Sequence, residues 1–267
     1  MQAALDDMAT RVPVFAISGL QGTGKSTLAT QIAGLAQQRN LQAAVLSIDD
    51  FYLTRTARAQ LARDVHPLLA TRGPPGTHDL GLALHTLEGL QAGRPMQLPR
   101  FDKLADDRLA QAQWPRVARV DLVVLEGWFL KTPPQQEAEL AVPINALERD
   151  EDRDGIWRRW CNAALARDYP ALWSRIDALW FLQPPGFEVV SQWRWEQEQG
   201  LHATDPSRPT MSRAQVDRFI QHFERVSRQA LRTLPAIAER TIPLDARRSP
   251  GQAMPAPALH DITPPRR

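Results

Sequence analysis

A chain of 267 residues is long enough for one large domain with elaborations. Hydrophobic residues make up 43% of it and charged residues 23%, which excludes wholesale disorder and a fibrous repeat. The 32 Lys and Arg residues nearly balance the 30 Asp and Glu residues, so the net charge of +2 gives no indication of nucleic-acid binding. The single cysteine, Cys161, excludes an intrachain disulfide and a cysteine-based zinc site, and we interpret it as a small buried residue in a reducing compartment.

The N-terminal segment MQAALDDMATRVP carries acidic residues and lacks the apolar stretch of a secretion signal. No later apolar run approaches the roughly 18 residues that a membrane-spanning helix needs. We therefore expect a cytoplasmic protein that has neither a membrane nor a nucleic acid as its partner.

Short apolar runs recur along the chain and are separated by stretches with helical spacing. They predict five strands, at Val12–Ser18, Ala43–Ile48, Leu122–Leu125, Ala178–Leu182 and Thr241–Leu244. A helix is predicted over Lys25–Arg39, directly after the first strand. This alternation is typical of an α/β fold with a parallel sheet and helices on both faces, in which ligands bind at the carboxyl ends of the strands.

Residues 132–176 form a longer connection than a simple crossover needs, and they are predicted to be a helical insertion. Six of the eight tryptophans lie between Trp157 and Trp195. These could stack on bases, but helices that pack on the sheet explain them better. Ser212 is predicted to cap a helix that runs to about Leu231. Residues 246–267 are rich in proline and predict a flexible tail.

The segment GLQGTGKS, residues 19–26, fits the phosphate-binding P-loop pattern G-x-x-x-x-G-K-[ST]. Backbone N–H groups of such a turn surround a polyphosphate, the lysine reaches its outer phosphates and the serine hydroxyl binds Mg²⁺. The alternative is an ordinary glycine-rich turn, but the motif lies between a predicted strand and a predicted helix, as this chemistry requires. The predicted nucleotide-binding residues are Gly19, Gly22, Thr23, Gly24, Lys25, Ser26 and Thr27.

Acidic residues follow two of the predicted strands. Asp49 and Asp50 come after the second strand, where one carboxylate could take a proton from an acceptor hydroxyl while the other holds metal-bound water. Glu126 follows the third strand, where a second acid can meet Mg²⁺. The alternative for Asp49 and Asp50 is that they cap a following helix. The alternative for Glu126 is a solvated carboxylate at a strand end. The guanine-specific motif N-K-x-D is absent, which argues against a GTPase.

Two further segments mix basic, acidic and imidazole side chains, RGPPGTHD from Arg72 and PRFDK from Pro99. This mixture suits a small hydroxylated acid, because arginine binds carboxylates and His or Asp binds hydroxyls. The alternative is a structural turn in which Asp79 caps a helix. Arg194 lies on a predicted helix, where it either closes over the transferring phosphoryl group or is solvated. The predicted acceptor-binding residues are Asp50, Tyr52, Arg72, His78, Asp79, Arg100, Asp102 and Arg108.

The chain resembles the D-glycerate 3-kinase family, which is grouped with uridine kinase, phosphoribulokinase and bacterial pantothenate kinase. The similar segments are GLQGTGKST, SIDDFYLT, RGPPGTHDL, LPRFDK, LEGW and QWR. The resemblance implies a P-loop NTPase three-layer sandwich with a kinase domain over residues 1–245 and a lid over about 184–211. It also implies ATP and Mg²⁺ as cofactors, with Lys25 on the phosphates, Asp49 as the base and Arg194 in catalysis from the lid. Ser26 and Glu126 would then bind the metal, and Asp50, the neighbour of the base, is predicted as a further metal ligand.

The chain departs from the family pattern at three places. Phe101 stands where the family usually has tyrosine, Lys131 stands where it has glycine, and the glycine-rich link after the Asp102-Lys103 pair is shortened to LADD before Arg108. The resemblance implies transfer of the γ-phosphoryl group of ATP to the terminal hydroxyl of D-glycerate. The alternatives are a uridine-kinase-like or pantothenate-kinase-like enzyme, and a regulatory protein that binds ATP without turnover.

Overall fold

The computed structural model describes residues 11–204 and 210–256. The strands in this part of the chain are β1 Val14–Gly19, β2 Ala43–Ser47, β3 Met96–Gln97, β4 Phe101–Asp102, β5 Asp107–Arg108, β6 Arg116–Val117, β7 Leu122–Gly127, β8 Ala178–Gln183, β9 Arg240–Pro243 and β10 Met254–Pro255. The α-helices are α1 Lys25–Gln38, α2 Arg55–Asp64, α3 Leu80–Gln91, α4 Ala146–Glu151, α5 Ile156–Arg167, α6 Pro170–Trp173, α7 Val189–Thr204 and α8 Arg213–Thr233. Short 3₁₀ helices span Ile48–Phe51, Pro67–Ala70, Gln111–Gln113, Glu137–Leu140 and Leu234–Ala236.

The central sheet has the strand order β10-β9-β8-β1-β7-β2. Strands β9, β8, β1, β7 and β2 are parallel, and β10 joins the edge antiparallel to β9. This arrangement confirms the predicted sheet of about five parallel strands, and the strand bounds differ from the predicted ones by one or two residues. In the central register Ile17 of β1 pairs with Glu126 of β7, and Ser47 of β2 pairs with the same Glu126.

Successive side chains of β1 point to opposite faces of the sheet, which gives the fold three layers. Val14 and Ala16 are fully buried in one hydrophobic core with side chains of α3, α5 and α8. Ile17 is fully buried in a second core, on the other face, with Ala29 of α1 and Trp193 of α7. An apolar strand that is buried on both faces is expected in a parallel sheet covered by helices.

The segment predicted to be an insertion contains α4, α5, α6 and the 3₁₀ turn at Glu137–Leu140. It is fastened to α8 by an ion pair in which Arg225 Nε and Nη2 donate to the two carboxylate oxygens of Glu148, at 2.7 and 2.6 Å. Trp157 is buried in a core of this segment together with Cys161. Burial raises the pKa of the Cys161 thiol, which agrees with the prediction of a small buried residue.

The C-terminal segment differs from the prediction of a flexible tail over residues 246–267. Arg248 donates through Nε to the carbonyl oxygen of Gly22 at 2.9 Å, and β10 pairs with β9. Residues 246–256 are therefore folded onto the phosphate loop and the sheet edge, because side-chain contacts compensate for the irregular, proline-rich backbone. Residues 257–267 lie outside the described residues.

Two hairpins between α3 and β7 were not predicted from the sequence. Strand β3 pairs with β6, and β4 pairs with β5, both antiparallel. Each strand has only two residues, so no period of alternation was available to predict them. Across the described residues, the helices are too short or too polar to cross a membrane.

Candidate active site

The phosphate loop connects β1 to α1, as its sequence predicts. Gly22 and Gly24 have φ angles of 82° and 87°, a left-handed conformation that glycine adopts at no steric cost. At Gly19 a Cβ atom would lie 2.9 Å from the carbonyl oxygen of Leu182, so this position is also restricted to glycine. In the described residues no side chain caps α1 at Gly24, so the N–H groups of its first turn can bind an anion.

Lys25 and Ser26 begin α1 and face the carboxyl ends of the strands. The ammonium of Lys25 donates to the carbonyl oxygen of Leu20 at 3.0 Å within the loop. Burial lowers the pKa of Lys25, while the carboxylates of Glu126 and Asp49 act in the opposite direction. The loop also has internal support, because the Thr23 hydroxyl donates to the Leu20 carbonyl at 2.8 Å.

The hydroxyl of Ser26 donates to the carboxylate of Glu126 at 3.0 Å. The register of the sheet brings these residues together, because Glu126 lies between the ends of β1 and β2. Among residues 11–204 and 210–256, no group of three or more His, Cys, Asp or Glu side chains is arranged as a metal cage. A hydroxyl and a single carboxylate fit Mg²⁺, which binds few protein oxygens and keeps several waters.

Asp49 projects from the 3₁₀ turn that follows β2, where the hydroxyl of Ser47 accepts from the Asp49 amide at 3.3 Å. Its Oδ1 accepts from the Tyr52 hydroxyl at 2.6 Å and its Oδ2 accepts from the Lys103 ammonium at 2.7 Å. Burial alone would raise the pKa of Asp49, but Lys103 and the Tyr52 hydroxyl outweigh it and hold the pKa at about 2. Asp49 is therefore a carboxylate throughout the neutral pH range.

Asp50, which the sequence predicted as a metal ligand, is not among the residues that line the cleft with Ser26 and Glu126. Its Oδ2 accepts from Arg100 at 3.1 Å and its Oδ1 accepts from the Phe101 amide at 3.2 Å. Burial raises the pKa of Asp50 and Arg100 opposes this effect. These contacts give Asp50 a different environment from that of Asp49, and its role as a metal ligand stays a prediction.

A cleft of about 510 Å³ opens at the carboxyl ends of the strands. Ten of its lining residues were predicted, namely Gly22, Gly24, Lys25, Ser26, Thr27, Asp49, Tyr52, Arg72, Glu126 and Arg194. Five basic side chains line the cleft, Lys25, Arg72, Lys103, Arg194 and Arg248. Three acidic side chains line it as well, Asp49, Glu126 and Glu196. This balance favours anionic ligands.

Five predicted acceptor-binding residues besides Asp50 are absent from the lining of this cleft, His78, Asp79, Arg100, Asp102 and Arg108. His78 is buried behind the ring of Tyr52, with the ring centroids 4.8 Å apart. Burial lowers the pKa of His78 to about 3, so its imidazole is neutral.

The remaining members of that set hold the loops around the cleft in place. Asp79 caps α3 by accepting from the Leu82 amide at 3.0 Å, and it also accepts from Arg108 at 2.9 Å. Asp102 Oδ1 accepts from the Leu104 amide at 2.8 Å within the β4–β5 turn. The alternative interpretation of Asp79 as a helix cap is therefore confirmed.

Arg194 lines the cleft from α7, on the segment predicted to be a lid. Its Nη2 donates to Glu198 at 2.6 Å and its Nη1 donates to Gln197 at 3.3 Å. Part of the predicted lid, residues 205–209, lies outside the described residues. The role of Arg194 in closing the site stays a prediction.

Several residues of the cleft were not predicted from the sequence, above all Lys103 and Arg248. Lys103 belongs to the quoted segment LPRFDK and was a visible candidate, since the chain has only three lysines. Arg248 gave no signal. Its guanidinium lies 5.0 Å from the ring centroid of Trp193 and its Nη2 donates to Glu196 at 2.7 Å.

Curated relatives of this chain are kinases. The uncharacterized kinase mug58 of Schizosaccharomyces pombe is 30% identical over 220 residues, which cover 79% of this chain and 78% of that protein. The chloroplastic D-glycerate 3-kinase of Arabidopsis thaliana is 31% identical over 235 residues, 84% of this chain. The alignment spans about half of that relative, 48% of its length. No protein-family profile matches the chain.

A solved structure of the same type confirms the fold. The D-glycerate 3-kinase from Cryptococcus neoformans var. grubii serotype A superposes with a TM-score of 0.78 at 25% identity. The superposition covers 95% of this chain and 98% of that chain. With this likeness over most of its length, the chain belongs to the D-glycerate 3-kinase family and is a phosphotransferase with the P-loop kinase fold.

Proposed function

We propose that this kinase transfers the γ-phosphoryl group of ATP to the terminal hydroxyl of D-glycerate and forms 3-phosphoglycerate. The observation that carries the proposal is a single cleft lined by the phosphate loop, the carboxylate of Asp49 and the guanidinium of Arg72. These three parts supply a site for the donor phosphates, a base for a hydroxyl and a cation for a carboxylate. The names of the relatives support the same acceptor.

The phosphate side of the site would be formed by the first turn of α1 and by Lys25. The uncapped N–H groups there suit phosphate oxygens. Lys25 would exchange its contact with the Leu20 carbonyl for the outer phosphates. Ser26 and Glu126 would hold Mg²⁺, which offsets negative charge on the phosphates when it is bound.

Asp49 is the base in this proposal. A carboxylate must be ionised to accept the proton of the acceptor hydroxyl, and the low pKa of Asp49 satisfies this requirement at neutral pH. The hydroxyl of Tyr52 fixes the orientation of the carboxylate by donating to its Oδ1 at 2.6 Å. The other oxygen, Oδ2, is paired with Lys103 and would receive the hydroxyl proton.

Arg72 is the cation that supports an acidic acceptor. A planar guanidinium can bind a planar carboxylate through two parallel hydrogen bonds, which a lysine cannot do. D-glycerate has few apolar atoms, so its affinity must come from such charge-assisted contacts. Arg194 stands on the α7 wall of the cleft, where a second cation could approach the transferring phosphoryl group.

A nucleoside acceptor is the second candidate, and the aromatic wall of the cleft favours it. Trp128, Phe219 and Phe223 line the cleft together with Asp49. Aromatic rings provide the stacking surface that a base requires. Trp128 and Phe223 are nearly fully buried, however, at 3% and 4% exposure, so most of their surface is committed to the core.

The test is an ADP-release assay with separate additions of D-glycerate, glycerol, uridine, pantothenate and no acceptor. We expect turnover with D-glycerate and a kcat/KM for glycerol lower by about 100-fold, since glycerol has no carboxylate to accept from the remaining donors of Arg72. Lys25→Ala is the control for contaminating kinases and should lose about 100-fold or more of the activity. Equal turnover of glycerol and D-glycerate, or faster turnover of uridine, would reject the proposal.

A further inference from the structure

Asp106, in the turn between β4 and β5, bridges two arginines with its carboxylate. Its Oδ2 accepts from Arg58 Nη2 at 2.6 Å, and its Oδ1 accepts from Arg72 Nη1. One of these arginines is internal and the other lines the cleft. The two ion pairs therefore connect the protein interior to the site proposed for the acceptor carboxylate.

Arg58 is a fixed anchor. Its side chain has no exposed surface, and its other donors bind the carbonyl oxygens of Leu53 at 2.7 Å, Ala70 at 3.2 Å and Asp106 itself at 2.9 Å. Asp106 has a φ of 55°, and in this conformation its carbonyl and its carboxylate both accept from the same Nη2. The position of the Asp106 carboxylate is thus set from inside the protein.

Arg72 is held differently. Its side chain is 22% exposed and lines the cleft with Asp49. Asp106 engages Nη1, and the other guanidinium donors, on Nε and Nη2, have no protein acceptor in the part of the chain that the structure describes. The guanidinium of Arg72 also lies over the ring of Phe101, 5.6 Å from the ring centroid, so the aromatic ring is a second contact that restricts the guanidinium.

We infer that Asp106 is a positioning residue, which orients Arg72 so that its Nε and Nη2 donors face the carboxylate of an acidic acceptor. The inference rests on the proposed function, because it assigns Arg72 to the acceptor. A flexible arginine loses rotamer freedom when it binds a ligand, and prior fixation by an anchored carboxylate removes part of this entropic cost. Asp106 itself does not touch the acceptor or the reacting atoms.

The test compares Asp106→Asn and Asp106→Gly with the control Asp107→Asn. Asn and Gly both tolerate a φ near 55°, so the turn can be kept while the charge is removed. Asp107 is adjacent, but its carboxylate accepts from the backbone amides of Arg55 and Arg108 and contacts neither bridged guanidinium. The three variants therefore separate the bridge from the stability of the hairpin.

We expect the Asp106 variants to raise the KM for D-glycerate at least tenfold, with kcat within about threefold and the KM for ATP within about twofold of wild type. The control should keep all three parameters within about twofold. A general structural defect would instead change kcat and the KM for ATP as well, and that result would overturn the inference. An unchanged or lower KM for D-glycerate would also overturn it.

Removal of the charge beside buried Arg58 can prevent folding, so a second measurement uses the wild-type protein. A crystal structure with D-glycerate and ADP should show Arg72 bound to the acceptor carboxylate and to Asp106 at the same time. An Arg72 that releases Asp106, or a carboxylate bound elsewhere, would overturn the inference. Failure of the wild type to bind and phosphorylate D-glycerate would overturn the proposed function as well, whereas normal turnover with unaffected Asp106 variants would overturn the positioning role alone.

Discussion

Replacement of Asp49 by Asn tests the proposed role of this carboxylate as the base separately from its structural role. The amide oxygen of Asn can still accept from the Tyr52 hydroxyl, so the orienting contact is kept. The ion pair with Lys103 is lost, but the Lys103 side chain is 56% exposed and that of Asp49 25%. Solvent screens such a pair, so we expect the free energy of unfolding to fall by about 1 kcal/mol or less.

The effect of Asp49→Asn on turnover should be much larger. An amide cannot accept the proton of the acceptor hydroxyl, and loss of a general base typically costs about 10²-fold to 10⁴-fold in kcat. The KM for ATP should stay within about threefold of wild type, because the phosphate contacts come from the loop and Lys25. This split between kcat and KM is the signature of a group that acts on the reacting hydroxyl.

The assay combines urea denaturation with steady-state kinetics on D-glycerate. Asp50→Asn is the matched control, since the neighbouring carboxylate contacts Arg100 and the Phe101 amide and does not line the cleft. It should reduce kcat less than about tenfold and leave the Mg²⁺ dependence unchanged. A folded Asp49→Asn enzyme with kcat within tenfold of wild type, or a greater loss in Asp50→Asn, would refute the assignment of the base.

Three further sets of substitutions test the surroundings of the site. Lys103→Gln removes the cation that lowers the pKa of Asp49, so the acidic limb of the kcat–pH profile should move to higher pH, and an unmoved limb would contradict this. Gly24→Ala strains only the left-handed φ, at a cost of about 1–2 kcal/mol. Gly22→Ala has the same strain and also places its new Cβ 2.7 Å from the Cβ of Trp193. Urea denaturation should therefore rank Gly22→Ala as the less stable variant, and the reverse order would contradict this. The pKa of His78 is about 3 when folded and about 6.5 when unfolded, so only the unfolded state binds the proton between these values. This histidine should therefore lower the free energy of unfolding by about 2 kcal/mol from pH 7 to pH 5, and His222, whose pKa burial lowers to about 4, should contribute a fall of similar size. His78→Gln should remove about half of the combined pH dependence, and an unchanged pH dependence would contradict this.

The phosphate loop and the sheet could be predicted because their signals are local. Gly22 and Gly24 occupy backbone conformations that favour glycine, and their spacing to Lys25 is fixed within one turn. The apolar runs predicted the strands because a parallel strand is buried on both faces. Glu126 could also be placed near Ser26, because the carboxyl ends of neighbouring parallel strands meet at one edge of the sheet, where the phosphate loop lies.

The contacts between charged side chains could not be predicted in the same way. Asp49 and Asp50 are adjacent in the sequence, and only the 3₁₀ turn decides that one lines the cleft while the other faces Arg100. Arg248 reaches the phosphate loop from 226 positions along the chain. Its left-handed φ of 66° is a property of the folded turn that no composition or periodicity signals.

The basic residues predicted to bind the acceptor have divided roles in the fold. Arg100 pairs with Asp50 in the 3₁₀ turn after β2, and Arg108 of β5 pairs with Asp79 at the start of α3, so these pairs fasten the β4–β5 hairpin to both segments. Of the three predicted arginines only Arg72 lines the cleft. Recognition of a carboxylate by Arg72 depends on the direction of its donors, because two parallel hydrogen bonds form only when the guanidinium is aligned with the carboxylate. We therefore expect the ion pairs that hold this hairpin to influence acceptor specificity indirectly, because the hairpin carries Asp106, which is bonded to Arg72.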